Sequence, residues 1–240
     1  MIVVGNGLLG SHFKKVDFCS EHIIFASGVS NSSSKSEDDF NREATLLKFW
    51  LKHSYKLIYF STCSVDDSML SFTPYVIHKL AMEKLVIGSK SGTVIRVPQV
   101  VGNSDNKNTL INFLVDKIYH KEAFVLQAGA VRNLIDIDDL GSLTMFLIKE
   151  EYPSGIYSFA MPFDFGVSRI VSCIEKHLKA ESLHTLKICN PCSYPKSLFV
   201  EQAIKYGVIT CGEDYLETVI AKYFSNPNWF EIINRSVTGK

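Results

Sequence analysis

Residues 2–10 read Ile2-Val3-Val4 followed by Gly5-Asn6-Gly7-Leu8-Leu9-Gly10, a short apolar run that ends in a glycine-rich turn. An apolar run of this length predicts a buried strand. In the spacing G-x-G-x-x-G, the first glycine permits a tight turn, the second lets a pyrophosphate approach the backbone, and the third lets a helix pack closely on the strand. Free N–H groups at the start of that helix attract phosphate. The sequence therefore predicts strand, nucleotide-binding turn and helix, with a purely structural glycine turn as the alternative.

Beyond this turn, short apolar runs alternate with amphipathic segments. Further strands are predicted at 23–26, 57–60 and 93–97, and helices at 11–18, 40–51, 75–87 and 109–119. Such alternation implies a parallel sheet with helices on both faces. The fold class predicted is α/β, a doubly wound, Rossmann-like parallel sheet at residues 1–150. Residues 151–240 are expected to form a small C-terminal lobe that packs on the sheet. A helix is predicted just before it at 138–149, and three more within it at 166–179, 197–206 and 213–224.

Composition excludes several classes of function. The 240 residues carry a formal net charge of zero, so no basic excess points to nucleic acid or an anionic membrane surface. No apolar stretch approaches the roughly 20 residues of a membrane helix, and the N-terminus does not resemble a signal peptide. We expect a cytoplasmic protein with no nucleic-acid or membrane partner. Cys189 and Cys192 have C-x-x-C spacing, but no second ligand pair accompanies them, so we predict two loop thiols and no metal.

Two polar motifs follow the third predicted strand. Tyr75 and Lys79 are one helical turn apart and so share a face, where an ammonium favours the phenolate form of a tyrosine. The alternative is a surface tyrosine beside a solvated lysine. Ser61-Thr62-Cys63-Ser64 ends the strand itself, and ligands in doubly wound sheets bind at the carboxyl ends of strands. Together the motifs predict an acid/base site at this edge of the sheet.

Ordered landmarks across residues 1–145 make the chain similar to a known family, the extended short-chain dehydrogenase/reductases that act as nucleotide-sugar epimerases, dehydratases and reductases. Besides the glycine turn, the landmarks are Ala26-Ser27-Gly28, Asn41 with Thr45, the segment 60–65, Tyr75 to Lys79 with Ala81, Glu83 and Leu85, the segment from Arg96 to Gly102, and the segment from Arg132 to Leu140.

The resemblance implies a role for each matching residue. Tyr75 would be the acid/base, Lys79 would hold the nicotinamide ribose and favour the phenolate, and Thr62 would orient the substrate oxygen. NAD or NADP would be the cofactor. Its contacts would be Gly5, Asn6, Gly7, Leu8, Leu9, Gly10, Ala26, Ser27, Gly28, Tyr75, Lys79 and Val97. Substrate contacts would be Ser64, Gln99 and Arg132, the last pairing with a phosphate, a task suited to a guanidinium fork. A surface salt bridge is the alternative for Arg132, and a homodimer is possible by resemblance.

The chain also departs from the pattern of the family. Only residues 11–22 separate the glycine turn from the next strand, so the adenine side of the sheet is predicted to be about two strands short. The acidic residue expected about 20 positions after the turn has no clear counterpart, which leaves NAD versus NADP open. Val4 stands where extended members usually have their first glycine, and Cys63 and Ser64 replace the Asp-Glu pair of the sugar dehydratases.

These observations predict an NAD(P)-dependent enzyme that reduces a nucleotide-linked keto sugar. Without the Asp-Glu pair, 4,6-dehydration is disfavoured, whereas reduction needs only hydride, a proton and orientation. An epimerase that works through a transient ketone is the first alternative. A non-catalytic binding or assembly protein on the same fold is the second, motivated by the missing strands.

Overall fold

The chain folds around a parallel sheet. A computed structural model describes residues 1–53, 56–67, 70–189 and 194–225. The strands within them are β1 (Ile2–Val4), β2 (His22–Phe25), β3 (Lys56–Thr62), β4 (Gly92–Val97), β5 (Gln99–Val101), β6 (Phe124–Ala128), β7 (Val131–Asp136), β8 (Ile156–Ser158), β9 (Asp164–Gly166) and β10 (His184–Ile188). The helices are α1 (Leu8–Phe13), α2 (Glu37–Leu51), α3 (Pro74–Ile87), α4 (Leu110–Tyr119), α5 (Ile137–Lys149), α6 (Val167–Leu178), α7 (Leu198–Lys205) and α8 (Tyr215–Phe224), with a short 3-10 helix at Cys63–Asp66.

Five strands form the main sheet in the order β1-β2-β3-β4-β8, all parallel. The chain passes from β1 through α1 and residues 14–21 directly into β2, which pairs with β1 in the register Val4 to Phe25. β1 is therefore an edge of this sheet in the described part of the chain. The prediction of a shortened, Rossmann-like parallel sheet is confirmed.

The ends of α1 differ from the prediction. The helix begins at Leu8, directly after its N-cap Gly7, and ends at Phe13. Sequence periodicity placed it at residues 11–18. Phe13 is fully buried and stacks on Phe60 of β3, with ring centroids 5.6 Å apart. The α-helix ends there because the next N–H groups, of Lys15 and Val16, bond to carbonyls only three residues back. The segment after it then turns back toward β2.

Two smaller sheets were not predicted. One has the order β5-β7-β9 and the other pairs β6 with β10. β5 and β9 are three residues long, too short for period-2 alternation to stand out in the sequence. Of the two predicted loop thiols, Cys189 lies within the described residues, and its thiol donates to the Ala128 carbonyl at 3.5 Å. Cys192 lies outside the described residues.

The part of the chain beyond residue 150 packs on the sheet and also completes it. β8 is the fifth strand, and α6, α7 and α8 share one apolar core with α4, α5 and the sheet. Phe159 and Phe199 stack within that core at 5.2 Å and 4°. The division at residue 150 stays a prediction, although the sheet draws its last strand from beyond it. Within the described ranges, no helix has the length and apolar character needed to cross a bilayer.

A buried carboxylate joins α8 to the start of α5. Asp136 is 4% exposed and caps α5 by accepting from the backbone N–H of Asp138 at 2.7 Å. It also accepts from Lys222 Nζ at 2.8 Å and from the Tyr223 hydroxyl at 3.0 Å. One side chain thus ties the last described helix to the core.

Replacing Asp136 with asparagine is expected to lower the free energy of unfolding by about 1 to 3 kcal/mol, because charge-assisted hydrogen bonds are lost at a buried position. Urea denaturation followed by circular dichroism measures this. Asp138→Asn is the matched control, since that side chain is 60% exposed and also contacts Lys222. Equal effects of the two substitutions would contradict the assignment of the anchoring role to Asp136.

Candidate active site

The glycine turn has two packed glycines and one open glycine. Gly5 has φ +127°, and a Cβ there would lie 2.3 Å from the Ala26 carbonyl oxygen. A Cβ on Gly10 would lie 2.4 Å from the carbonyl oxygen of Gly5, so α1 packs directly on the turn. Around Gly7, by contrast, a Cβ would meet nothing within 4 Å. This arrangement leaves the middle of the turn accessible to a ligand.

The segment after β2 lies beside this turn. The Ala26 N–H donates to the Val4 carbonyl at 2.7 Å, and Arg42 of α2 reaches the Ser27 hydroxyl at 3.5 Å. Since β1 and β2 are parallel, both predicted cofactor-binding segments meet at the same edge of the sheet. The structure therefore brings residues 5–10 and 26–28 together.

Tyr75 and Lys79 lie on the buried face of α3. Pro74 begins the helix, and Thr73 caps it by accepting from the Val76 N–H at 3.3 Å. Tyr75 is 7% and Lys79 2% exposed. The Lys79 ammonium lies 5.8 Å from the centroid of the Tyr75 ring. The alternative of a surface tyrosine beside a solvated lysine is therefore wrong.

Lys79 reaches back toward the sheet and α2. Its Nζ donates to Glu43 Oε1 at 3.0 Å and to the Tyr59 hydroxyl at 3.1 Å. Tyr59 in turn donates to Glu43 Oε1 at 2.6 Å. Burial and the Glu43 carboxylate raise the pKa of Tyr59 well above its ordinary value, so this hydroxyl stays neutral. Gly28 covers the cluster, because a Cβ there would be 2.7 Å from Lys79 Nζ.

Thr62 is the last residue of β3, directly before the 3-10 helix at Cys63–Asp66. Its hydroxyl accepts from the Ser64 N–H at 3.1 Å and so caps that helix. Cys63 is buried, its thiol donates to the Arg96 carbonyl at 3.5 Å, and burial raises its pKa to about 12. Cys63 is therefore a protonated thiol at neutral pH and no substitute for a carboxylate.

An ion pair fixes the position of α3 against β3 and β4. Arg96 of β4 donates to Glu83 through Nε at 3.1 Å and through Nη2 at 2.8 Å. Ser61 of β3 donates to the same carboxylate at 2.6 Å, and Arg96 also reaches Asp66 at 2.9 Å. The helix that carries Tyr75 is thus held at the carboxyl ends of the central strands.

The predicted substrate residues lie in two parts of the fold. Gln99 begins β5 and Arg132 lies on β7 of the same small sheet, whereas Ser64 lies in the 3-10 helix that follows β3. Val97, a predicted cofactor contact, ends β4 two residues before Gln99 and is half-buried. Arg132 donates to the Val131 carbonyl at 2.8 Å and to Gln127 Oε1 at 3.1 Å. No carboxylate among the described residues pairs with Arg132, so the salt-bridge alternative fails there.

Comparisons of the sequence with protein-family models and with curated proteins gave no match. Solved structures do match across most of the chain. The dTDP-glucose 4,6-dehydratase of Bacillus anthracis, in complex with NAD, has a TM-score of 0.68 at 15% identity, covering 94% of this chain and 79% of that one. RMD of Pseudomonas aeruginosa, complexed with NADPH, has 0.69 at 12%, covering 93% and 98%. WbmG of Bordetella bronchiseptica, with NAD and UDP, has 0.63 at 15%, covering 88% and 73%.

The chain has the fold of the extended short-chain dehydrogenase/reductases. The resemblance seen in the sequence is therefore confirmed at the level of the fold. Identities of 12% to 15% leave the activity to be argued from this chain's own residues.

Glu43 was not predicted, although among the described residues it is the only acidic side chain with no exposed surface. Asn41 and Thr45, on which the likeness of α2 to the dehydrogenase/reductase family depended, are exposed. Glu43 lies three residues after Phe40 and four before Leu47, within the apolar stripe of α2. A carboxylate inside such a stripe was the available signal, because buried acids are almost always paired.

Replacing Gly28 with alanine is expected to lower both the free energy of unfolding and the affinity for NAD(P) at the site predicted from the sequence. The added Cβ would lie 2.7 Å from Lys79 Nζ and 3.0 Å from Glu43 Oε1, so it meets both groups of a buried ion pair. Displacing this pair is costly in a buried position and also moves Lys79 away from the place predicted for cofactor binding. Thermal unfolding and nicotinamide fluorescence titration measure the two effects. Gly155→Ala is the control for steric fit, since a Cβ there would meet only atoms 3.8 Å or more away and Gly155 is not among the predicted site residues. A Gly28→Ala protein with unchanged cofactor affinity would contradict this role of Lys79.

Proposed function

We propose that this protein is an NAD(P)-dependent oxidoreductase that reduces the keto group of a nucleotide-linked sugar. The observation that carries the proposal is the buried Tyr75 and Lys79 pair, held next to the Thr62 turn and to the segment that packs on the glycine turn. Solved proteins of this fold include complexes with NAD, NADPH and UDP, which supports both halves of the proposal. The open backbone at Gly7 fits a diphosphate.

The residues of this chain would divide the work as follows. A nicotinamide cofactor held by residues 5–10, 26–28 and Lys79 would supply the hydride. The Tyr75 hydroxyl gives its proton to the carbonyl oxygen, and Thr62 orients that oxygen by a hydrogen bond. The Lys79 ammonium, 5.8 Å from the tyrosine ring, stabilises the phenolate left behind. A proton from water then restores Tyr75, so each cycle consumes one hydride and one proton.

The Thr62 turn supports reduction over dehydration. Loss of water from the sugar requires an acid and a base beside the threonine, and this chain places Cys63 and Ser64 there. With its pKa raised to about 12 by burial, Cys63 does not accept a proton at neutral pH. Reduction makes no such demand, since Tyr75 alone supplies the proton.

Arg132 supports a nucleotide-diphosphate substrate. Its guanidinium is held by two neutral oxygens, from Val131 and Gln127, which leaves its charge available to a phosphate. Gln99 is the register partner of Leu134, two residues along β7 from Arg132, so both side chains belong to one face of this small sheet. We assign the recognition of the nucleotide-linked sugar to this face, together with residues beyond 150.

Assays of purified protein with NADH or NADPH and a panel of nucleotide-linked keto sugars test the function. A reductase consumes cofactor in proportion to the sugar alcohol formed. An epimerase interconverts nucleotide sugars with no net consumption, and the exposed edge at β1, which offers few adenine contacts, speaks against the tight cofactor retention that it needs. Absence of both cofactor binding and turnover would favour the non-catalytic alternative.

A further inference from the structure

Glu43 of α2 contacts three other parts of the fold. This side chain of α2 is 0% exposed. Its Oε1 accepts from Lys79 Nζ at 3.0 Å and from the Tyr59 hydroxyl at 2.6 Å. Its Oε2 accepts from the Val29 N–H at 2.6 Å and lies 3.0 Å from His78 Nε2. A single carboxylate thus contacts β3, the catalytic helix α3, and the segment that follows β2.

The surroundings keep this carboxylate charged. Burial alone would raise its pKa, but the His78 hydrogen bond, the Lys79 charge and the Tyr59 hydroxyl outweigh burial and lower it to about 2. A buried ammonium without a counter-charge is strongly unfavourable. Lys79, at 2% exposure, therefore depends on Glu43 for its charge balance.

The same contacts determine where the ammonium points. An ammonium has three N–H donors. Two of them are directed to Glu43 and Tyr59, at 3.0 and 3.1 Å, which leaves one for a ligand. Gly28 lies over the cluster, and the next residue, Val29, is bonded to Glu43. The carboxylate therefore fixes both the lysine and the backbone beside the predicted cofactor site.

We infer that Glu43 is a positioning residue that acts through Lys79, holding the remaining ammonium donor and the 28–29 backbone in the geometry that binds the cofactor for reduction. This inference rests on the proposed function. Because Glu43 is covered by the cluster, it touches neither cofactor nor substrate. Its removal is expected to act on turnover through the lysine and not by direct loss of a ligand contact.

A double-mutant cycle separates positioning from general stabilisation. Glu43→Gln keeps the size of the side chain but removes its charge, and is expected to lower kcat/KM by about 100-fold, since small displacements of catalytic groups have costs of that order. Lys79→Met should be at least as severe. The double variant Glu43→Gln with Lys79→Met should be no slower than Lys79→Met alone. Glu37→Gln, an exposed acid at the start of the same helix, is the control and should have wild-type kinetics.

Several outcomes would overturn the inference. Effects on kcat/KM that multiply in the double variant would mean that Glu43 acts independently of Lys79, and a folded Glu43→Gln protein with wild-type kinetics would mean that it does not act at all. If Glu43→Gln does not fold, Tyr59→Phe removes one partner of both groups without changing charge, and should give a smaller loss in the same direction.

Measurements on the same variants can tell a failure of the Glu43–Lys79 pairing from a failure of the proposed reductase function. A wild-type protein that binds neither NADH nor NADPH would refute the function. The urea-unfolding cycle of Glu43 and Lys79 needs no activity and would then decide the pairing. We expect each single change to lower the unfolding midpoint and the double change to restore part of it, because it removes both buried charges. Additive losses would overturn the pairing.

Discussion

Replacing Tyr75 with phenylalanine is expected to lower the rate of keto-sugar reduction by about 100- to 10,000-fold, the usual contribution of a positioned general acid. Phenylalanine keeps the ring, which is 7% exposed and packs with Val29 and Val76, and removes only the hydroxyl. Folding and cofactor binding should therefore survive. Single-turnover measurements with saturating cofactor isolate the hydride-transfer step.

Tyr206→Phe serves as the matched control. Tyr206 follows α7, is 65% exposed, and should tolerate loss of its hydroxyl without a change in rate. Urea midpoints of both variants should match that of the wild type. A Tyr75→Phe protein that transfers hydride at the wild-type rate would remove Tyr75 from the reaction, whatever the fate of the control.

Replacing Glu83 with alanine is expected to lower the free energy of unfolding by about 3 kcal/mol, in the range seen when one partner of a buried ion pair is removed. The change leaves the Arg96 guanidinium with Asp66 alone and removes the acceptor of the Ser61 hydroxyl. Arg96 keeps a side-chain exposure of 21%, so water offsets part of the loss. Urea denaturation gives the magnitude.

Two further variants serve as comparisons for the loss of stability expected of Glu83→Ala. Glu83→Gln retains an acceptor oxygen without the charge, and should fall between wild type and alanine. Glu122→Ala breaks the ion pair with Lys117 at the surface, and should have no measurable effect, as is usual for exposed pairs. If Glu83→Ala were as stable as Glu122→Ala, the network of Ser61, Glu83 and Arg96 would not be what fixes α3.

The fold was largely predictable because its signals are local. The apolar run at Ile2–Val4 and the glycines at 5, 7 and 10 define the first strand, turn and helix by spacing alone. The length of residues 11–22 sufficed to predict the missing strands, and the sheet order confirms it. The three-residue strands β5 and β9 could not be predicted, since their pairing is set by partners distant in sequence.

The same contrast holds in the site. Tyr75 and Lys79 were found from their helical spacing, which guarantees a shared face. Glu43 was missed because its role depends on Tyr59, His78 and Lys79, which come together only when α2 packs against β3 and α3. The burial of Lys79 was equally invisible, since the sequence alone could not distinguish a buried from a solvated lysine. Cytoplasmic location and a homodimer stay predictions.

Isotope transfer from cofactor to sugar would distinguish hydride transfer from cofactor binding alone in a single experiment. The purified protein is incubated with NADH or NADPH deuterated at the nicotinamide C4 position and with a nucleotide-linked keto sugar, and the product is analysed by mass spectrometry. For a reductase we expect one deuterium on the new carbinol carbon with the wild-type protein, and a rate at least about 100-fold lower with Tyr75→Phe. Cofactor that binds but never delivers deuterium to any keto sugar of the panel would contradict the proposed reductase function.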